Sequence, residues 1–160
     1  MNICKKIHDY LNNLPDLCYI IIMIIFSYLI DNLMVLFANI SNIDFSGPEF
    51  NMSPILMFIL VGIIGPLVET YLFQVVLIYF LSKINYLNNH KILLIIVASI
   101  IFGILHSYSL LYIISTFLAG VILNYSYLIY KNKTLSSFVI VLSIHSIHNI
   151  INALLLIIFN

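Results

Sequence analysis

Residues 62–80 read GIIGPLVETYLFQVVLIYF, an apolar run that holds a single acid, Glu69, three residues after Pro66. A run this apolar is long enough to lie across a bilayer, where an ionisable side chain is costly and by default marks a site. The stretch therefore predicts a transmembrane helix, and it asks why a carboxylate is kept there.

The whole chain answers in the same sense. Of its 160 residues 63% are hydrophobic and 8% charged. Water-soluble domains carry about 45–50% apolar and about 25% charged residues, so a water-facing surface cannot be covered from this composition. Five apolar runs are legible: Leu17–Ala38, Pro54–Leu81, Ile92–His106, Leu110–Tyr130 and Leu135–Phe159. A helix needs about 20 residues to cross a core ~30 Å thick. The first, fourth and fifth runs fit. The third is short, and the second is long enough to require a tilt or a kink, for which Gly62, Gly65 and Pro66 are the natural place. The expectation is an all-α, polytopic transmembrane bundle of about five helices, forming a single membrane domain over 1–160. The first run exceeds the usual signal-peptide core and lacks a small-residue cleavage pattern, so it reads as a retained anchor.

The lysines are Lys5, Lys6, Lys83, Lys91, Lys131 and Lys133, and there is no arginine. Alternating helices put all six on one face, whereas the 41–52 loop carries Asp44 and Glu49 and no base. The positive-inside rule then predicts a cytoplasmic N-terminus. No basic stripe suggests a nucleic-acid partner; the bilayer is the expected surroundings. Cys4 and Cys18 follow no disulfide or zinc spacing. His8 and His90 read as solvated, and Tyr125, Tyr127 and Tyr130 as anchors at a membrane edge.

Polar residues inside the runs are few: Asp31 and Asn32, Glu69 and Gln74, His106, then His145, His148, Asn149 and Asn152. Counted from the lysine anchors at 1.5 Å per residue, Glu69, His106, His145 and Asn149 fall ~18–24 Å above the same face. Three helices thus bring an acid, two imidazoles and an amide to one depth. Taken singly, each reads equally well as a hydrogen bond between helices; together they point to a site. Asp31 and Asn32 are either a polar break or part of the entrance, and His148 lies behind His145 or packs.

The segments GPLVET, FGILH and HSIHN resemble, in order, the three motifs of the CPBP intramembrane protease family. That family includes type II CAAX prenyl endopeptidases, bacteriocin-processing and immunity proteins, and Abi proteins. The resemblance covers residues 55–155, leaving 17–38 as an additional N-terminal transmembrane helix. It implies an endopeptidase of a bacterial plasma membrane acting on a membrane-associated peptide or a prenylated protein. In that reading Glu69 is the general base, His106 positions the water, and His145 and Asn149 donate to the oxyanion. The first motif departs from the family pattern: Thr70 stands where a second acid is expected, and Gln74 where an arginine is. No cofactor is implied. The alternative is zinc held by Glu69, His106 and His145, a donor set that zinc hydrolases use, although no H-E-x-x-H pair shares a helix. The rival functions are a non-catalytic membrane binding protein, such as a bacteriocin self-immunity factor or a pseudoprotease, and a small transporter, for which no inverted repeat is visible.

Overall fold

A computed structural model describes residues 3–159, without the side chains of Cys4 and Phe159. The elements run α1 (Ile3–Asn13), α2 (Asp16–Ser41), α3 (Pro54–Leu81), α4 (Asn85–Asn89), α5 (Lys91–Ile104), α6 (Leu110–Leu128) and α7 (Ser137–Phe159). Among the described residues there is no strand. Four helices, α2, α3, α6 and α7, are long and apolar enough to cross a membrane, and α5 is a shorter apolar helix. Their outward faces keep Ile21, Ile25, Leu29, Leu33, Ile63, Leu67 and Leu154 exposed. A water-soluble monomer rarely exposes so continuous an apolar surface; facing lipid, these side chains need no cover. The chain is an integral membrane protein of the all-α class.

α7 is the central element. α2, α3 and α6 pack against it, and α5 and α6 pair closely as an antiparallel hairpin. The hairpin depends on small residues. A Cβ at Gly103 would lie 2.9 Å from the Ile113 carbonyl oxygen, and one at Gly120 would lie 3.3 Å from Ser99 Cα. Close backbone approach of this kind is how helices pack where lipid removes the hydrophobic drive.

α3 runs unbroken through Pro66 for 28 residues. It does so by widening into π-helical turns at Leu60–Ile64 and Thr70–Leu77, on either side of an α-helical turn at Gly65–Glu69. Proline has no N–H to give and crowds the preceding turn. The wider π turn makes the room, and such turns concentrate at functional sites. In the π register the carbonyl facing Pro66 belongs to Val61. Its partner comes from another helix: Asn149 Nδ2 donates to Val61 O at 3.2 Å.

The lysine-bearing end is held by Asp16 at the start of α2. Its carboxylate accepts backbone N–H groups of Lys133, Thr134 and Leu135 at 2.8, 2.7 and 2.8 Å, and the Tyr130 hydroxyl at 2.8 Å. Tyr130 is buried and stacks on Tyr19 with ring centres 3.6 Å apart. It is therefore an internal donor, not the edge anchor its position suggested. Burial, with Asp16 beside it, pushes its phenol well above the ordinary value, so it stays protonated. His8 also departs from the solvated expectation, pairing through Nδ1 with the Tyr125 hydroxyl at 2.9 Å. His90 is exposed, as expected. Cys18 is free and exposed, and the Cys4 side chain lies outside the described set.

At the other end, α2 stops at Asn42, whose φ of 53° places it in the left-handed region, a common helix stop for asparagine. The following loop returns across the bundle. Ser109, the N-cap of α6, accepts from the Tyr112 N–H at 3.3 Å and donates to Ser46 O at 3.0 Å. Gly47 lies so close to the Tyr112 ring that a Cβ there would come within 2.9 Å of Cε2.

Candidate active site

Glu69 ends the α-helical turn of α3 between the two π stretches. His106 follows the C-terminus of α5. Its Nδ1 lies 2.8 Å from Phe102 O, and because a carbonyl only accepts, Nδ1 is the protonated nitrogen. The bond also occupies a carbonyl that the helix end leaves free. It turns Nε2 toward Glu69 Oε2, 3.6 Å away. His145, near the middle of α7, is 8% exposed and presents its own Nε2 to the same oxygen at 3.5 Å. The Phe102 ring packs against both imidazoles, at centroid distances of 4.5 and 6.2 Å. Two imidazoles from two helices thus flank one carboxylate oxygen, at separations just beyond a direct hydrogen bond.

The group opens on a cavity of about 1180 Å³, lined by Glu69, His106, His145 and Asn149 together with residues of α2, α6 and the loop after α2. Asn149 shares the cavity wall, but its amide nitrogen is engaged by Val61 O. Among the described residues no group of three or more His, Cys, Asp or Glu side chains is arranged as a metal-ligating set.

The two departures from the family motif are structural members. Thr70 is fully buried, with Oγ1 3.4 Å from His145 Nδ1. It therefore stands behind the histidine as a neutral contact where an acid was expected. Gln74 is also fully buried. It donates to Asn124 Oδ1 at 3.3 Å, and Asn124 donates to Ser99 Oγ at 3.0 Å. This chain of amides ties α3, α6 and α5 together. Neither Thr70 nor Gln74 lines the cavity.

Asp31, which the sequence left between a polar break and an entrance residue, lines the cavity with His148. The two are 2.9 Å apart, Asp31 Oδ2 to His148 Nε2. Ser115 donates to Asp31 Oδ1 at 2.8 Å, and the Tyr28 ring lies 4.7 Å from that of His148. The sequence did not single out Ser115 or Tyr28. A polar residue inside an apolar run was the only available signal.

Residues 51–151 match the family model described as type II CAAX prenyl endopeptidase Rce1-like. The chain belongs to that family. None of the curated proteins and none of the solved structures compared with it matches.

Proposed function

We propose that this member of the CAAX prenyl endopeptidase family is an intramembrane peptidase that hydrolyses a membrane-associated or prenylated peptide by glutamate-activated water. The observation that carries this reading is the single carboxylate oxygen of Glu69, 3.6 Å from His106 Nε2 and 3.5 Å from His145 Nε2 on a cavity wall. Glu69 takes a proton from water while the water oxygen attacks the peptide carbonyl carbon. His106, its ring fixed by Phe102, orients that water. His145 and the second amide hydrogen of Asn149 donate to the oxyanion, the first being committed to Val61. As the C–N bond breaks, the proton passes from Glu69 to the leaving amine. Water is consumed, and one carboxyl and one amino end are released.

The test is turnover of a lipidated peptide by the protein in liposomes. Glu69→Ala and His106→Ala should each lower it about 10²–10⁴-fold, the usual worth of a positioned acid or base. Cleavage that survived both changes would remove the mechanism. A chelator should leave turnover intact; inhibition reversed by zinc would instead assign Glu69, His106 and His145 as metal ligands. The arrangement of Lys residues supports a cytoplasmic N-terminus. Labelling of single cysteines placed at 5 and 46 from each side of the membrane tests that orientation.

The structural roles of Thr70 and Gln74 favour a second reading, a non-catalytic binding protein such as a bacteriocin self-immunity factor or pseudoprotease. That reading expects a Glu69→Ala protein to protect cells as well as the parent does. Protection lost with Glu69 would return the assignment to hydrolysis.

A further inference from the structure

Charge is distributed unevenly along the bundle. All six lysines lie at positions 5, 6, 83, 91, 131 and 133, at the end of the helices where α2 begins and α3 finishes. The cavity lies toward the other end, beside the loop that carries Asp44 and Glu49. Its wall includes two carboxylates, Glu69 and Asp31, three histidines and no lysine. The arginine that the family motif places near the first acid is here Gln74, buried and tied to Asn124. The side chains that line this cavity thus offer no fixed cation to a carboxylate on the bound molecule.

Asp31 is built to meet the opposite charge. It sits on α2, outside the 51–151 stretch that matches the family model, and on a different helix from Glu69. Ser115 bonds one of its oxygens and His148 the other, which fixes the carboxylate's plane. Each oxygen keeps a further acceptor site. The side chain remains 29% exposed, so those sites are reachable. His148 and Ser115 hold this carboxylate, yet no lysine or arginine on the cavity wall faces it, a place that a cation of the bound molecule can take.

We propose that Asp31, held by Ser115 and His148, is a specificity-determining residue that receives a lysine or arginine side chain of the bound peptide. The inference rests on the proposed use of this cavity for peptide hydrolysis and deepens it: the substrate is a cationic peptide segment. Glu69 is left to the scissile bond, while Asp31 sets which peptide sits beside it.

The experiment measures binding, so it does not depend on turnover. The full chain carrying Glu69→Ala is placed in neutral phosphatidylcholine nanodiscs. Two fluorescent peptides, identical except for lysine or glutamine at one position, are titrated by anisotropy, with that position moved along the peptide. At the favoured position the lysine peptide should bind about tenfold more tightly. The gap should close with added Asp31→Asn, persist with Asp31→Glu, and leave the affinity of the glutamine peptide unchanged throughout. Equal binding at every position, or a gap that survives Asp31→Asn, overturns the proposal. A lysine gap with no hydrolysis by the unsubstituted chain sustains this inference and removes the peptidase. Hydrolysis with no gap does the reverse.

Discussion

The side-chain amide of Asn149 donates to the carbonyl of Val61 at 3.2 Å, the oxygen that Pro66 leaves without a partner in the π register of α3. An asparagine on one helix thereby completes the hydrogen bonding of another, four residues before the start of the turn that presents Glu69.

Asn149→Ala should lower stability by about 1–2 kcal/mol, the usual cost of stranding a polar group. Pro66→Ala returns an N–H to the chain where Val61 needs one. The double variant should therefore lose less than the sum of the two single changes, as read from thermal unfolding in detergent. Strict additivity would mean that the two residues do not share the carbonyl.

Gln74→Arg returns the residue type of the family motif but should not raise peptide turnover. Gln74 is fully buried, and its hydrogen bond goes to an amide rather than a carboxylate. A guanidinium there lacks a counter-ion, and a loss of about 3–5 kcal/mol is expected. A variant as stable as the parent would show that the amide chain through Asn124 and Ser99 opens readily.

Gly103→Ala tests how tightly the hairpin positions His106. The new Cβ meets the Ile113 carbonyl at 2.9 Å and Phe117 Cβ at 3.0 Å, and a backbone carbonyl yields only if the helices part. Overpacking should cost about 1–3 kcal/mol. Because His106 follows three residues later, peptide turnover should fall more than stability alone accounts for. Turnover in proportion to folded protein would show that His106 tolerates the shift.

Asp16→Ala removes the acceptor for three backbone N–H groups and the Tyr130 hydroxyl. A destabilisation of about 3–5 kcal/mol is expected. Tyr130→Phe leaves Asp16 its three backbone donors, removes only the hydroxyl's bonds to Asp16 and to the Leu14 carbonyl, and should cost about 1–2 kcal/mol. Limited proteolysis between 130 and 136 reads both, with cleavage rapid in the first variant and nearly unchanged in the second.

The helices were legible because hydrocarbon imposes one rule on every span: long, apolar and helical. Glu69, His106 and His145 stood out because ionisable groups are rare in such runs, and their depth could be counted from the lysines. Their partners could not be read in this way. Asp31 and Ser115 are 84 residues apart, Asp31 and His148 117, and His8 and Tyr125 117. No local periodicity records a contact made across the bundle. The same holds for Gln74, which by spacing occupied a motif position but in space belongs to a buried amide chain. Tyr130 and His8 escape such a reading for a related reason: they lie in the turn after α6 and in the short α1, segments without the length or hydropathy of a span, and only the fold sets them against Leu14 and Asp16 and against Tyr125.

α2 contributes Asp31 to a chamber whose Glu69, His106, His145 and Asn149 all come from the 51–151 stretch. In the proposed peptidase, choice of peptide and bond cleavage would then reside on separable pieces of chain. Exchange of this one helix between relatives offers a route to redirect selectivity while the chemistry stays untouched.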